Sequence, residues 1–354
     1  MVKRITREGV IHSMKRVTVK DIAKAVGVSQ AVVSYVLNGK EYKVSKETVS
    51  KVKAAIKELN YIPNLTARSL VKNKSQLVGV IIPQTEETAQ LLLTNPFYSE
   101  IIGGIESKLR ESGYHMLLSG VDKGKSYLDT SVQRNLDGAI IMGIYQEQFY
   151  EELKQAQIPI VLIDSYISDN YFYRVGIDDE YGGYLATKYL IEHGHRDIAL
   201  VTGSIKKDGV IEKRFLGYKR ALREEGIFYN PDYVFEGWVS YEYGYIAGKT
   251  IAQKYKNVSA VFACADLMAL GAIRSLTENG LNIPEDISVI GFDNISVLKY
   301  SLPPLTTVGQ DIVAKGIKAA EVLIDLIEGR EHSESKEKTL PLRIVERETV
   351  KRIK

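Results

Sequence analysis

Residues 17–70 read VTVKDIAKAVGVSQAVVSYVLNGKEYKVSKETVSKVKAAIKELNYIPNLTARSL, and this stretch decides how the chain is interpreted. Apolar residues at helical spacing predict a first helix over 19–26. Gly27 then supplies the left-handed backbone of a tight turn between two helices. Ala23, Gly27 and Val33 stand where a helix-turn-helix most restricts side-chain size and backbone shape. The stretch therefore predicts that motif.

The second predicted helix begins at its cap, Ser29, and ends at Leu37. In a helix-turn-helix the second helix lies in the DNA major groove, and its first residues reach base edges. Gln30 can pair bidentately with adenine, and Ala31 can contact a thymine methyl. Tyr35 is either a DNA contact or an ordinary surface aromatic. The residues that we predict to contact bases or phosphates here are Thr18, Ser29, Gln30, Ala31, Ser34, Tyr35 and Asn38.

A third helix and a short further segment follow. Ser45 opens the helix, whose apolar residues recur at steps of three and four: Val49, Val52, Ile56 and Leu59. Pro63 ends it, because proline disfavours helical geometry at the residue before it. Asn64 can cap one or two further turns, up to about Leu70. A segment of that length is not stable as an isolated helix, so we expect it to fold only when a partner orders it.

The charge of the chain is strongly polarised. Residues 1–75 contain 16 Lys and Arg against 5 Asp and Glu, a net charge of +11, whereas the remaining residues contain 31 against 39, a net charge of −8. A basic module attached to an acidic body is typical of a protein that binds nucleic acid through one end. A merely solvated basic face is the alternative, and the adjacent helix-turn-helix argues against it.

Length and composition indicate a soluble protein with more than one domain. With 354 residues, of which 45% are hydrophobic and 26% charged, the chain can bury the cores of two or three domains. The single cysteine, Cys264, excludes an internal disulfide framework. Apolar runs fall short of the roughly 18 to 20 residues of a membrane span, and residues 1–16 lack the apolar core of a signal peptide. These features predict a cytoplasmic protein.

From Leu77 onward, short apolar runs alternate with amphipathic helices. Continuous apolar strands separated by helices predict parallel, doubly wound α/β sheets that are covered on both faces. The number of such units exceeds what one sheet holds, which favours two similar lobes. The apolar runs are LVGVIIP, YHMLLSG, DGAIIMG, IPIVLID, YRVGID, DIALVTG, SAVFACA and DISVIGFD.

Sheets of this kind bind ligands in the crevice beyond the carboxyl ends of their strands. Phe97 and Tyr98 follow the first strand, and an aspartate follows each of three later strands, at Asp164, Asp266 and Asp293. Carboxylates accept hydrogen bonds from sugar hydroxyls, and an aromatic ring stacks on the apolar face of a sugar. Capping a helix is the alternative role of each aspartate. The sequence therefore predicts a small-molecule cleft with these five residues as candidates.

The chain resembles the lactose/galactose repressor (LacI/GalR) family of bacterial transcription regulators. The resemblance rests on TVKDIAKAVGVSQAVVSYVLNG, VSKETVSKVKAAIKELNYIPNLTARSL and LVGVIIP, and it continues almost to the C-terminus. The head motif is highly specific, because it joins a helix-turn-helix to a YxPN sequence and a hinge segment at the family's spacing. The resemblance implies a homodimer that binds a pseudo-palindromic operator, with residues 64–70 forming a hinge helix on DNA.

The resemblance also implies roles for individual residues. Asn64 opens the hinge helix, Ala67 lets paired hinge helices approach closely, and Leu70 matches the leucine that wedges between central base pairs from the minor groove. Arg214 lies where the family places an arginine that contacts effector, and Trp238 falls one position from the stacking aromatic of many relatives. The implied body is periplasmic-binding-protein-like, with two α/β lobes joined by crossings near 166–174, 294–296 and 328–331.

The predicted organisation has four parts. Residues 1–16 lack apolar periodicity and are expected to be a disordered extension, in which Met14, directly before the basic start of the motif, is an alternative initiator to Met1. The others are a helix-turn-helix domain over 17–62, a hinge helix and linker over 63–75, and an effector-binding and dimerisation domain over 76–354. Within that domain we expect an N-lobe over 76–168 and 295–328 and a C-lobe over 174–293 and 331–354.

Several departures from the family pattern bear on specificity. Tyr35 stands where relatives commonly carry Arg, so we expect an operator that differs from the commonest family consensus. Ala265 stands where sugar-binding relatives often have Asn, and the loop over 84–97 is longer than the usual connection. A disaccharide, an oligosaccharide or a modified sugar is therefore an alternative to an ordinary monosaccharide.

Motifs that would indicate an enzyme, a metal site or a cofactor fail on inspection. The sequence GYIAGKT over 244–250 has one residue too few between its glycines for a P-loop and follows no strand. His193 and His195 lack the further ligands that a metal site needs. Without GxSxG, HExxH or GxGxxG, the sequence predicts no enzyme activity, no metal and no cofactor.

The sequence thus predicts a homodimeric repressor of carbohydrate-utilisation genes that acts in the bacterial cytoplasm, on the nucleoid. A sugar or related metabolite in the cleft is expected to favour one lobe closure and so to order or melt the hinge helices. One alternative is a global regulator of the same fold that responds to a protein partner. Another is a sugar-binding transport protein, against which the basic head, the missing signal peptide and the hinge argue. No leucine-heptad tail indicates tetramers.

Overall fold

The structure is a computed structural model of the full chain. It divides into two compact units, Met1–Ser75, here called the head, and Gln76–Lys354, here called the body. The residues that it describes are 3–4, 12–13, 17–61, 74–83, 92–121, 135–143, 148–167, 169–330 and 335–353. The predicted hinge residues Asn64, Ala67 and Leu70 lie outside them, as do most of the long loop after the first strand of the body and most of the N-terminal extension.

The head contains three α-helices in its described part. Each helix is preceded by a residue whose side-chain oxygen accepts a hydrogen bond from a backbone N–H of the first turn, as capping requires. The caps are Thr18, Ser29 and Ser45. The helices are α1 (Val19–Val26), α2 (Gln30–Leu37) and α3 (Lys46–Glu58). Before them, β1 (Lys3–Arg4) pairs antiparallel with β2 (His12–Ser13).

The turn between α1 and α2 has the geometry that the sequence predicts. Gly27 has φ 74°, in the left-handed region that favours glycine. Ile22, Val33 and Val52 are fully buried where the three helices meet. The prediction of a helix-turn-helix head is confirmed.

The first sheet of the body has six strands, all parallel. Their central members are buried along their whole length, which explains why they are continuous apolar runs. In spatial order the strands are β13 (Glu337–Leu340), β7 (Tyr173–Ile177), β6 (Ile160–Ile163), β5 (Gly138–Met142), β3 (Leu77–Pro83) and β4 (His115–Val121). This sheet and its helices, α4 (Pro96–Glu111), α5 (Gln148–Leu153) and α10 (Ile312–Glu328), form the N-lobe.

The second sheet of the body also has six strands. All neighbouring strands in it are parallel except for one antiparallel pair at an edge. In spatial order the strands are β14 (Arg343–Val345), β12 (Thr306–Gly309), β11 (Ser288–Asp293), β10 (Ala260–Ala263), β8 (Ile198–Gly203) and β9 (Val234–Gly237). The sheet and its helices, α6 (Asp179–Glu192), α7 (Val210–Glu224), α8 (Tyr241–Lys254) and α9 (Asp266–Glu278), form the C-lobe.

The chain passes between the lobes three times, and each crossing differs from its predicted position. The observed crossings lie at 178, between β7 and α6, at 310–311, between β12 and α10, and at 341–342, between β13 and β14. The predictions near 166–174, 294–296 and 328–331 place each crossing too early. The reason is that β7 and β13 pair within the N-lobe and β12 pairs within the C-lobe. An apolar run shows that a strand is buried, but it does not specify the strand's neighbour.

Three pairs of helices cross in backbone contact at glycine. A Cβ on Gly183 of α6 would lie 2.1 Å from the carbonyl oxygen of Arg214, and one on Gly217 of α7 would lie 2.0 Å from that of Glu180. No side chain larger than hydrogen fits at such a distance. The corresponding glycines are Gly244 and Gly271 between α8 and α9, and Gly104 and Gly316 between α4 and α10. Both lobes are therefore tightly packed.

Candidate nucleic-acid interface and ligand cleft

The first turn of α2 offers free side chains at its surface. Gln30 and Ala31 are exposed. In the described part of the head, the amide of Gln30 makes no hydrogen bond. Since base edges are read by unpaired donors and acceptors at this end of a recognition helix, the geometry suits both predicted contacts.

Other predicted DNA contacts in the head already have intramolecular partners. Thr18 Oγ1 donates to Asp21 Oδ2 over 2.7 Å within a capping box. Asn38 Nδ2 donates to the carbonyl oxygen of Ser34 over 2.9 Å and to its Oγ over 3.2 Å. Ser29 Oγ accepts the Val32 N–H that it caps, over 3.4 Å. These groups stabilise helix ends, a role that the sequence predicted for Ser29 alone.

Tyr35 belongs to a small aromatic and basic cluster. Lys43 Nζ lies 5.3 Å from the centroid of the Tyr35 ring and 5.9 Å from that of the exposed Tyr42 ring. A cation held over aromatic faces stays positioned near the surface. The cluster therefore places a positive charge beside the recognition helix, at the position where relatives commonly carry Arg.

In the body, two of the predicted aspartates adopt strained backbone conformations. Asp164, after β6, has φ 52°, and Asp293, the last residue of β11, has φ 112°. Residues other than glycine rarely adopt such values, which cost on the order of 1 to 3 kcal/mol each and concentrate at functional sites. Both lie at the carboxyl ends of central strands, one in each sheet, where a ligand is expected.

Arg214 of α7 lies at the centre of a buried charged network. Its Nε donates to Asp179 Oδ1 over 2.8 Å, its Nη1 donates to the carbonyl oxygen of Cys264 over 2.5 Å, and Nη1 lies 3.7 Å from Asp293 Oδ1. The guanidinium also stacks 3.7 Å from the centroid of the Phe292 ring. Burial alone would lower the pKa of Arg214, but Asp179 and Asp293 raise it overall. The guanidinium is thus a fixed cation between two carboxylates.

Asp179 is a member of this network that the sequence analysis missed. It is fully buried at the first residue of α6, directly after the crossing at 178. Tyr166 Oη donates to its Oδ2 over 2.6 Å, so both carboxylate oxygens are occupied. Burial raises the pKa of Asp179, and Arg214 works against that rise. The signal available in the sequence was its place after the strand YRVGID.

Lys315 of α10 is a second missed member. Its ammonium donates to Asp164 Oδ1 over 2.7 Å and to Oδ2 over 3.0 Å, and it lies 5.7 Å from the centroid of the Phe97 ring. Lys315 is fully buried. No sequence signal pointed to it, because a lysine in an amphipathic helix is expected to be solvated.

Asp293 is shared between Arg214 and the second crossing. Gln310 Nε2 donates to Asp293 Oδ1 over 2.7 Å, and the Gln310 carbonyl oxygen, Oε1, is buried with no hydrogen-bond partner among the described residues. Burial raises the pKa of Asp293 to about 6, and the charge of Arg214 limits the rise. Asp293 is therefore a buried carboxylate that takes up its proton only slightly below neutral pH.

Asp266 takes part in packing within the C-lobe. Its Oδ1 accepts from Thr307 Oγ1 over 2.6 Å, and its Oδ2 accepts from the Ile295 backbone N–H over 2.9 Å. Burial raises the pKa of Asp266 well above its usual range, and the charge of Asp293 adds to the rise. Asp266 thus fixes β12 and the chain after Asp293, and the helix-cap alternative does not apply, since Ala265 is the cap residue of α9.

The predicted aromatic residues lie in two separate locations. Phe97 and Tyr98 pack edge to face, with ring centroids 5.5 Å apart, at the start of α4. Trp238 is 44% exposed and its ring lies 5.4 Å from that of Tyr243. In the described residues, no hydrogen bond or ring contact joins Trp238 to the charged network. The structure therefore brings Phe97, Asp164, Arg214 and Asp293 to one region, and Trp238 has no described contact with them.

Two family models match the chain. One, described as bacterial regulatory proteins of the lacI family, matches residues 18–64, and one described as a periplasmic binding protein-like domain matches residues 187–350. The HTH-type transcriptional repressor PurR of Vibrio campbellii is 37% identical over 345 residues, which are 95% of this chain and 99% of that protein. The chain belongs to the lacI family of bacterial regulatory proteins.

Solved structures of other family members show the same architecture. The Lac repressor dimer bound to operator and the anti-inducer ONPF has a TM-score of 0.80 and 29% identity, covering 95% of this chain and 100% of that one. The complex of the transcriptional regulator CelR with cellobiose has a TM-score of 0.68 and 31% identity, covering 94% of this chain and 100% of that one. The predicted combination of a helical head with a two-lobed α/β body is confirmed.

Family membership also establishes the class of function. This lacI-family protein is a DNA-binding transcriptional repressor, and its relatives are regulators rather than enzymes. No helix in the described part of the chain has the length and apolar character to cross a membrane. Across the same residues, no group of three or more His, Cys, Asp and Glu side chains is arranged to hold a metal ion.

Proposed function

We propose that this repressor is controlled by a sugar or a related small polar metabolite that binds between the two lobes, at Phe97, Asp164, Arg214 and Asp293. The observation that carries the proposal is the buried charged network at the carboxyl ends of both sheets, where two aspartates keep strained backbones. A few polar groups in a mostly apolar cleft are typical of a specific ligand site. The known complexes of CelR with cellobiose and of Lac repressor with ONPF support this choice.

The proposed control works through the crossings. Asp179 directly follows the crossing at 178, and Gln310 belongs to the crossing at 310–311. An effector that bonds to Arg214 and Asp293 in one lobe arrangement but not in another shifts the equilibrium between them. The resulting change in operator affinity cannot exceed the ratio of the effector affinities of the two arrangements. The regulated genes in this proposal are those for use of the same carbohydrate, and the repressor acts in the cytoplasm.

The test is operator binding by the purified protein at fixed salt, with its own upstream DNA. The panel contains mono- and disaccharides and, as planar hydrogen-bonding compounds of another class, purine bases. A sugar that changes operator affinity at least about tenfold, on the order of 1.4 kcal/mol of coupling, supports the proposal. Asp293→Asn and Phe97→Ala should keep operator affinity and lose the response. A response to a purine alone, or to a protein partner alone, rejects the sugar.

The pKa of Asp293 gives the effector response a pH dependence. A carboxyl group with a pKa of about 6 is mostly ionised at pH 7.5 and mostly protonated at pH 5.5. Protonation removes an acceptor and the charge that Arg214 faces, so we expect effector affinity to fall about fourfold between those pH values. Titration of the response at both pH values checks this. The surface variant Asp232→Asn should show the same loss as the wild type; a wild-type effector affinity that is equal at the two pH values contradicts the assignment.

The hinge proposal places Leu70 as a wedge in the operator. Leu70→Ala should lower affinity for the specific operator at least about tenfold, because the bend that the wedge stabilises is lost. Non-specific binding depends mainly on phosphate contacts and should change by less than about twofold. Fluorescence anisotropy with operator and with scrambled DNA measures both. Leu93→Ala, at an exposed leucine of the body, is the control. Equal losses on both DNAs would remove Leu70 from the wedge role.

The proposal includes a homodimer on a pseudo-palindromic operator, as in the Lac repressor dimer. Leu302, which is 91% exposed, and Tyr300, which is 78% exposed, lie two residues apart. Neighbouring exposed apolar side chains suggest a contact surface, whereas a single exposed apolar residue is ordinary. Leu302→Asp should therefore convert dimers to monomers, raising the dissociation constant at least about a hundredfold. Analytical ultracentrifugation measures it. Phe228→Asp, at a residue 87% exposed, is the control; an unchanged dimer in Leu302→Asp contradicts the assignment.

A further inference from the structure

Lys315 holds a positive charge where the fold disfavours one. It is the fourth residue of α10 and is fully buried. The first turn of a helix is the positive end of its dipole, which repels a cation. Burying an ammonium group costs several kcal/mol unless a partner compensates it. A lysine at this place therefore indicates a requirement for its charge.

Asp164 supplies the compensation. The Lys315 ammonium lies 2.7 Å from Asp164 Oδ1 and 3.0 Å from Oδ2. An ammonium has three N–H groups, and these contacts use at most two of them. Among the described residues, they are the only hydrogen bonds of the Lys315 ammonium. At least one N–H of the buried ammonium therefore has no acceptor among the described residues.

The position of Lys315 is that of the proposed cleft. Its Nζ lies 5.7 Å from the Phe97 ring centroid, in the N-lobe. Its charge also acts on Asp179 and on Asp293, both of the C-lobe, and works against the burial that raises their pKa values. One buried cation thus reaches carboxylates of both lobes.

The charges of the cleft balance only when Lys315 is counted. Three carboxylates, on Asp164, Asp179 and Asp293, meet the cations of Arg214 and Lys315. A third cation, the ammonium of Lys213, lies 5.5 Å from the centroid of the Tyr166 ring, whose hydroxyl bonds to Asp179. With these three carboxylates ionised, the three charges of each sign balance. Without Lys315 the site would carry a net negative charge.

Two further polar atoms are without partners. Gln310 Oε1 and Ser165 Oγ are buried and make no hydrogen bond in the described part of the chain. The Asp293 carboxylate accepts from the amide nitrogen of Gln310, so the carbonyl oxygen of that side chain must seek a donor. Gln310 Oε1 thus requires a donor, the Ser165 hydroxyl can either donate or accept, and Lys315 requires an acceptor. Hydroxyl groups meet both requirements without adding charge.

We infer that Lys315 is a specificity-determining residue of the effector cleft, where it neutralises Asp164 and donates its free N–H to an oxygen of an uncharged, hydroxyl-bearing effector. The inference rests on the proposed function, because it names the class of ligand for that same cleft. Anionic and cationic analogues of the effector are rejected, since either would unbalance a neutral, buried set of charges. Replacing Lys315 with an uncharged residue leaves Asp164 unpaired and makes the cleft prefer a cation.

The experiment measures direct binding of three matched probes to the full chain by isothermal titration calorimetry. The probes are cellobiose, its carboxylate cellobionate, and the diamine made of two β-1,4-linked glucosamines. The wild-type protein should bind cellobiose at least about tenfold more tightly than either charged probe. Lys315→Met should reverse the preference toward the diamine, also at least tenfold. Lys318→Met, three residues along the same helix and partly exposed, should behave as the wild type.

A second variant tests the inference if Lys315→Met does not fold. Asp164→Asn combined with Lys315→Met keeps the cleft neutral but removes the donor. The rank order of the three probe affinities should therefore stay that of the wild type. The affinity for cellobiose should fall at least tenfold. Unchanged cellobiose affinity in this double variant overturns the inference. So does an unchanged rank order in Lys315→Met, equal binding of cellobionate and cellobiose to the wild type, or binding of none of the probes. If cellobiose binds but leaves operator affinity unchanged, the proposed control fails while the binding preferences still judge Lys315.

Discussion

Arg214→Met is expected to lower the free energy of unfolding by about 3 to 5 kcal/mol at pH 7.5, the cost of leaving buried charges without a partner. The guanidinium donates to Asp179 and to the carbonyl oxygen of Cys264, and it faces Asp293. Methionine fills similar space without charge or donors. Two buried carboxylates would then have lost their nearest cation.

The loss of unfolding free energy in Arg214→Met should depend on pH. Burial already raises the pKa of Asp179 and of Asp293, and removing Arg214 takes away a cause that works against this rise. A carboxyl group whose pKa is higher in the folded than in the unfolded state binds its proton more tightly when folded, so its destabilising effect grows as pH rises through the folded pKa and shrinks as pH falls. The difference between variant and wild type should therefore be smaller at pH 5.5 than at pH 7.5.

Urea unfolding at the two pH values measures the effect. Arg220→Met is a matched control on the same helix, because Arg220 is exposed and pairs with Glu224 at the surface; its cost should stay below about 1 kcal/mol. Arg214→Lys keeps the charge but not the planar fork that reaches several acceptors, and should fall between the wild type and Arg214→Met. A similar cost for Arg214→Met and Arg220→Met, or no pH dependence, would contradict the account of the network.

Gly104→Ala is expected to destabilise the N-lobe strongly, at a cost of about 2 to 4 kcal/mol. A Cβ on Gly104 would lie 2.4 Å from the carbonyl oxygen of Val313, and backbone cannot give way as a side chain can. Helices α4 and α10 would have to separate. Because α10 carries Lys315, the separation should also weaken effector binding.

Gly103 provides a control one residue away on the same helix. A Cβ on Gly103 meets no atom within 4 Å. Gly103→Ala should therefore stabilise the protein by about 0.5 to 1 kcal/mol, since alanine loses less backbone entropy than glycine on folding. Thermal and urea unfolding of both variants gives the comparison. Equal effects of the two substitutions would show that close helix contact does not determine the stability of this lobe.

The sequence predicted the architecture well where local pattern determines it. The caps Ser29 and Ser45, the turn at Gly27 and the bounds of α2 follow from side chains that act within a few residues of their own position. The buried strands are recognisable because parallel sheets cover both faces of each strand with apolar atoms. The crossings were misplaced because strand order depends on partners that are far away in the chain.

The cleft was predicted in part for a similar reason. Asp164 and Asp293 were recognised as residues that follow strands, and Arg214 through resemblance to a family. Lys315 escaped notice because its burial depends on Asp164, 151 positions earlier in the chain. Asp266 also follows a strand, and hydrogen bonds from Thr307 and Ile295 engage both its oxygens. A strand-end position identifies candidate residues, but it does not show which side chains surround them.

The place of the crossings has a mechanical consequence. The first two lie beside Asp179 and at Gln310, so the proposed ligand site adjoins two of the crossings between the lobes. When two lobes rotate about their connections, atoms near the connections move little and atoms far from them move more. In the proposed mechanism, a hydrogen bond gained or lost by one ligand hydroxyl causes a small displacement at the crossings. The displacement at the far end of the N-lobe is larger, in proportion to its distance from the crossings.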